Sequence, residues 1–303
     1  MNRQRYESVD IEENQGMLIY RAFMRRVTSP LIPLRAVLLV LVSAASSVSA
    51  SSGERARHKV RIEGHGPLTV VLEAGLGDTL DIWTDVQPLI AASCTRTMAY
   101  TRAGYPGSDP PSGPRDAATI VSELRWELKR RGIQPPYVLV GHSLGGLHMQ
   151  YFARQYPDEI EGLLLVDSTH WNQQLDLRPH ASDPSGRRST VLFLPWIMQR
   201  ELIDSTSAGE QVNVSPHASG VPTIVLSRTR ALHGETPASQ ALAEKLQEEI
   251  AAAFPAARHV RVDDSGHYIQ RDRPDVVVAA ARELAGCAYG ADDPALMMAP
   301  YRE

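Results

Sequence analysis

From residue 57 onward, short apolar runs alternate with stretches in which apolar side chains recur every three to four positions. The compact runs are His58 to Ile62, Leu68 to Leu72, Thr97 to Tyr100, Tyr137 to Val140, Gly162 to Asp167, Pro222 to Leu226 and His259 to Val262. Their length and β-branched content predict strands, and runs without polar alternation predict strands covered on both faces. Helical spacing is expected over Trp83 to Ala92, Leu147 to Tyr156, near 237–253 and over Asp275 to Leu284. It is clearest from Ala117 to Arg131, where Ile120, Val121, Leu124 and Leu128 share one face and Gly132 stops the helix. Strands alternating with helices predict an α/β fold, a mainly parallel central sheet with helices on both faces. Residues 170–220 break the rhythm and are too long for an ordinary loop, so they are expected to form a small inserted cap. The folded domain is expected over 57–290, with a tail at 291–303.

The N-terminal residues follow another pattern. Residues 1–23 are polar and lack apolar periodicity. Met24-Arg25-Arg26 opens a basic stretch through Arg35, followed by the apolar run Ala36 to Val42 and small residues ending Val48-Ser49-Ala50. A positive region, a short apolar core and an A-x-A-like site predict a signal peptide over 24–50. The core is far shorter than the roughly 20 residues needed to span a bilayer, so no stable membrane insertion is expected after cleavage. A secreted or periplasmic location follows. The late position of the signal implies translation from Met24 or Met17, with residues 1–23 a mis-assigned extension.

Composition adds exclusions. The chain has 303 residues, 43% hydrophobic and 22% charged, with a formal net charge of −4. That is ordinary for a globular protein and lacks the basic surplus of a nucleic-acid binder. Export would place the two cysteines, Cys94 and Cys287, in an oxidising compartment. The helices before them lie on the same side of the expected sheet, so either a bridge or two buried thiols fits. Neither has metal-site spacing, and no H-E-x-x-H motif occurs; no cofactor or metal is expected.

The chemistry centres on Gly141-His142-Ser143-Leu144-Gly145-Gly146. A bare G-x-S-x-G match is weak, but here an apolar strand enters, the serine sits at the turn and a helix leaves. A side chain at Gly141 or Gly145 would collide with neighbouring backbone in so tight a turn. The helix N-terminus favours negative charge developing nearby. A phosphate loop would need Gly-Lys-Ser/Thr, which is lacking.

Taken with Leu72-Glu73-Ala74-Gly75-Leu76-Gly77, Tyr100-Thr101-Arg102-Ala103-Gly104-Tyr105-Pro106-Gly107-Ser108 and Ser265-Gly266-His267, this run resembles the α/β-hydrolase superfamily over about residues 60–286. The resemblance implies that Ser143 is a nucleophile, that His267 is its base, and that the backbone N–H groups of Leu76 and Leu144 form an oxyanion hole. His142 is expected to point away from the nucleophile as packing, and His233 and His259 sit in a loop and a strand. The family most often carries its acid after the strand that Pro222 to Leu226 resembles, but the loop there holds only Glu235, late. Some members carry it after the preceding strand instead, where this chain has Asp167, so the resemblance implies Asp167 as the acid, in the family order Ser143, Asp167, His267. Glu235, or a cap residue such as Asp204, stays open for that role. Ala74-Gly75 stands where the family usually has His-Gly, and Thr101 replaces its usual Asp. Glu73 reads as a salt-bridged structural group or a substrate contact.

A serine here implies an acyl-enzyme route to small-molecule carboxylic esters, and disfavours dehalogenase or epoxide hydrolase activity, whose relatives use an aspartate. Acyltransfer or lactone opening on the same residues, or ligand binding without catalysis, are the alternatives. In the cap, Trp171, Phe193, Trp196 and Met198 either line an apolar substrate pocket or anchor the cap.

Overall fold

Apolar runs become strands wherever both faces can be covered. The computed structural model describes residues 55–92, 95–173, 194–218 and 220–287. Seven strands form one sheet: β1 (Lys59–Gly64), β2 (Thr69–Glu73), β3 (Arg96–Thr101), β4 (Tyr137–His142), β5 (Ile160–Val166), β6 (Thr223–Arg228) and β7 (Ala257–Val262). Their order is β1-β3-β2-β4-β5-β6-β7; β1 is antiparallel to β3 and all other pairs are parallel. Each parallel link requires a crossover, which the helices supply. They are α1 (Gln87–Ala91), α2 (Ala117–Arg130), α3 (Leu144–Gln155), α4 (Trp196–Val214), α5 (Pro237–Ala252), α6 (Ile269–Asp272) and α7 (Pro274–Leu284).

Alternate residues of the strands feed two cores. Val70, Leu72, Val138, Val140, Leu164 and Leu226 face one side, packed by Trp83, Ile90 and the α7 residues Val277 and Ala281. Val71, Leu139, Leu163, Leu165 and Val225 face the other, against α2, α3 and Phe254. Each fully buried aliphatic side chain contributes on the order of 1.5–3 kcal/mol.

The helix expected over Trp83 to Ala92 is split. A 3-10 turn spans Leu80–Trp83 and α1 begins only at Gln87, with Pro88 in its first turn. Proline suits a helix start and cannot continue a ladder from upstream.

The segment 24–50 expected as a signal peptide, Cys94, Phe193 and residues 174–193 of the expected cap lie outside the described residues. Cys287 is disulfide-bonded, and Cys94 is the chain's other cysteine. From 194 to 218 the expected cap region holds the 19-residue helix α4, which packs on α2 and α3.

Candidate active site

The carboxyl ends of β2, β4, β5 and β7 bring their loops to one edge of the sheet, as parallel topology demands. Ser143 leaves β4 at φ 51° and ψ −124°, a conformation L-residues rarely adopt, and α3 starts at the next residue. Neighbouring backbone holds it there. The Ser143 N–H donates to Val166 O at 3.1 Å, and its carbonyl accepts from Gly146 and Thr169 at 2.9 and 3.0 Å. The glycines have no substitute: a Cβ on Gly141 would lie 2.6 Å from the Gly146 Cα, and one on Gly145 2.4 Å from the Ala74 carbonyl. Those clashes are why the strained serine needs glycine on both sides.

Asp167 follows β5 directly, also at positive φ, and its N–H continues the ladder to Leu226 O at 2.8 Å. His267 comes from the loop after β7. Its Nδ1 lies 2.6 Å from Asp167 Oδ2. Ser143, Asp167 and His267 line one cavity of about 180 Å³, together with Ser168, Thr169, Gln247 and Leu246.

The two other candidate acids are committed elsewhere. Glu235 binds the Arg228 guanidinium through both oxygens at 2.7 and 2.9 Å and caps the Leu232 N–H at 2.7 Å. Asp204 accepts from the Arg115 N–H at 2.7 Å and from Arg200 at 2.8 Å. Sequence reasoning missed Arg228. Its Nε lies 3.4 Å from Asp167 Oδ2, so Glu235 acts on the Asp167–His267 pair only through this arginine. No local pattern marks the last arginine of a strand and a glutamate seven residues later as partners.

On the opposite side, the loop after β2 closes against the serine. A Cβ on Gly75 would lie 3.1 Å from the Ser143 Cβ. The following N–H, of Leu76, and the first N–H of α3, of Leu144, enter no hydrogen bond among the described residues. The loop's shape is set from behind by Arg102, which is fully buried and hydrogen-bonded to Glu73 at 2.9 Å and to the carbonyls of Ala74 and Gly75. Burial alone would lower the Arg102 pKa, but Glu201 and Glu73 hold it well above the usual value. Glu73 is thus an ion-pair partner, buried beyond reach of the cavity.

His142 does more than pack. Its Nε2 lies 2.9 Å from the His267 carbonyl, and its ring rests on the rings of His267 and Tyr268. Burial, reinforced by His267, lowers its pKa to about 3, so the ring is neutral and Nε2–H donates to that carbonyl. His259 Nε2 pairs with the Ser227 hydroxyl at 2.9 Å, away from the cavity. Among the described residues, Trp171, Trp196 and Met198 do not line the cavity. Trp171 backs onto Gly209 of α4, Met198 presses on Gly77, and Trp196 is 60% exposed. Among the described residues no three His, Cys, Asp or Glu side chains converge as a metal site.

Comparison with known proteins agrees with this architecture. Residues 69–215 match the family model described as alpha/beta hydrolase fold. The chain is similar to a thermophilic esterase from Thermogutta terrifontis, with TM-score 0.54 and 20% identity over 78% of this chain and 96% of that one. It is also similar to the epoxide hydrolase CorEH, with TM-score 0.56 and 16% identity over 77% and 99% of the two chains. Among curated sequences, the uncharacterized protein YbdG of Bacillus subtilis (strain 168) is 38% identical over 107 residues, 35% of this chain and 33% of YbdG. The chain therefore spans about a third of the length of that relative. The chain has the alpha/beta hydrolase fold, and its strand–serine–helix turn lies within the matched residues.

Proposed function

We propose that this protein is a serine hydrolase that cleaves small carboxylic esters through an acyl-enzyme intermediate. The observation that carries the reading is the 2.6 Å His267–Asp167 pair, which shares a cavity with a serine held in a strained turn. With Nδ1–H donating to Asp167, the neutral imidazole keeps its lone pair on Nε2. Nε2 is then the base that takes the Ser143 proton as Oγ attacks the acyl carbon. The carbonyl oxygen becomes an oxyanion, stabilised by the N–H groups of Leu76 and Leu144 and by the start of α3. His267 returns the proton to the departing alcohol. Water then attacks the acyl-enzyme, giving up its proton to His267, and Ser143 is restored as the carboxylic acid leaves. The proton that leaves with the alcohol is replaced by one from water, which His267 passes on to Ser143, so the pair is restored over the full cycle and no cofactor is needed.

The cavity wall mixes polar Ser168, Thr169 and Gln247 with apolar Leu246, Ala243 and Leu232. This supports short esters rather than long acyl chains. An extracytoplasmic location is part of the proposal, supported by the signal-like segment at 24–50 and by the disulfide-bonded Cys287.

The test is labelling with a fluorophosphonate probe, followed by a p-nitrophenyl ester series of increasing chain length. Labelling is expected in the natural chain and lost in Ser143→Ala, with turnover highest for short chains. Folded natural protein that neither labels nor turns over any ester would make the site a ligand-binding pocket instead.

A further inference from the structure

Helix α4 buries an unusual face. Its inward positions are Ile197, Glu201, Ser205, Ala208, Gly209 and Val212, and Glu201 is completely inaccessible. A buried carboxylate costs several kcal/mol unless it is paired and hydrogen-bonded. Glu201 is both. Arg102 reaches it through two parallel bonds of 2.7 Å, from Nε to Oε1 and from a terminal nitrogen to Oε2. The Tyr105 hydroxyl donates a third, also 2.7 Å. This fork geometry fixes the guanidinium plane.

The same two partners hold the loop after β2. Arg102 donates to the carbonyls of Ala74 and Gly75, the latter at 2.8 Å, and the Tyr105 oxygen accepts the Gly77 N–H at 3.0 Å. Residues on either side of Leu76 are thus tied, while the Leu76 N–H is not. The carbonyl of Gly75 and the N–H of Leu76 belong to one planar trans peptide, so they point in opposite directions. Holding that carbonyl on Arg102 aims the Leu76 N–H away from Arg102. Gly75 itself abuts Ser143, and a side chain there would strike it.

We propose that Glu201 is a positioning residue for the oxyanion hole: from the cap helix it holds Arg102 and Tyr105, which set the direction of the Leu76 N–H. Cap docking and assembly of the hole are then one event. With α4 lifted, Arg102 keeps Glu73 but loses the fork that orients it, and the loop can rotate its peptide. The proposal rests on the reading of Leu76 as an oxyanion donor.

Two variants of the full chain test it. Glu201→Gln keeps the volume and removes the charge; Tyr105→Phe leaves the Arg102–Glu201 pair and frees the Gly77 N–H. Removing a whole oxyanion donor costs about 10²–10³ in kcat. Misaiming one is expected to lower kcat about 10-fold or more in Glu201→Gln and about 3-fold or more in Tyr105→Phe. KM should stay within about 3-fold, because the loss falls on the transition state. Inhibition by a phenylboronic acid, whose adduct carries the oxyanion, should weaken in parallel with kcat. Amide hydrogen exchange of residues 74–78 should accelerate in both variants, with α2 unchanged. Unchanged kcat in both folded variants, or a rise in KM alone, overturns the proposal. If the natural chain turns over no ester, the hydrolase reading fails, and exchange still decides: unchanged protection of 74–78 overturns the positioning role, and faster exchange supports it.

Discussion

Replacing Asp167 by Asn removes the charge from the 2.6 Å contact with His267 Nδ1 and keeps the side chain's shape. In the transition state His267 carries a proton on both nitrogens and a full positive charge. At this separation, and with an effective dielectric of ~20, the attraction to a carboxylate is about 6 kcal/mol. At about 1.4 kcal/mol per decade that is an upper bound of roughly 10⁴ in kcat. Two features of the structure set where within that bound the loss falls. His267 is partly exposed, which screens the interaction. Arg228 stays 3.4 Å from position 167 and would repel the imidazolium once Asp167 no longer neutralises it. We therefore expect kcat to fall about 10³–10⁴-fold, the scale seen when a triad aspartate becomes an amide. The fold should survive, because Arg228 retains both bonds to Glu235. The assay is p-nitrophenyl ester turnover per fluorophosphonate-titrated site, with thermal unfolding alongside. Glu235→Gln is the internal control and should cost less than about 10-fold, since it acts only through Arg228. If Asp167→Asn retains turnover within 10-fold of the natural chain, Asp167 is not the acid and the argument fails.

Gly145→Ala should destabilise by about 2 kcal/mol or more, because the new Cβ would lie 2.4 Å from backbone that cannot yield, read as a lower urea midpoint at constant slope. Gly132→Ala, with φ +69° and open space around it, should cost only about 1–2 kcal/mol, from backbone strain alone. His58 is buried between Glu123 and Glu127; burial alone would lower its pKa, but these carboxylates raise it above the usual value. Its contribution to stability is therefore fully present below about pH 6.5 and is lost as pH rises through the raised pKa. His58→Asn should flatten the fall in unfolding free energy as pH rises above about 6.5, and an unchanged pH dependence would remove His58 from that role.

The centre of the sheet was legible because strands such as β2, β4 and β6 are buried on both faces. Leu163 to Val166 have zero exposure and are apolar without interruption, so no competing pattern obscured them. The serine turn was legible for a different reason. Its glycines answer clashes that occur within a few residues and with the adjoining β2 loop, and such constraints leave a local signature. Asp167 ranked above Glu235 only because it ends an apolar strand on the catalytic edge, whereas Glu235 comes late in its loop. What separates them physically is Arg228, and a contact from β6 to two different loops leaves no trace in spacing.

The cap helix is where hydrophobic reasoning had least to work with. Its buried positions do recur at helical spacing, but three of the six are Glu201, Ser205 and Gly209. Three of its large apolar residues, Trp196, Ile203 and Val214, are 60%, 65% and 81% exposed. A periodicity search weighted by apolarity therefore sees disorder in a regular helix. The reason is chemical: this face meets a buried arginine and the backbone of Trp171, so it needs a carboxylate and a glycine where a helix on an apolar core would carry leucine. A helix whose inward face is built for one guanidinium is specified to dock in one place. That place is the loop beside Ser143, and Glu201, one of the residues that hid α4 in the sequence, is what ties it to the site.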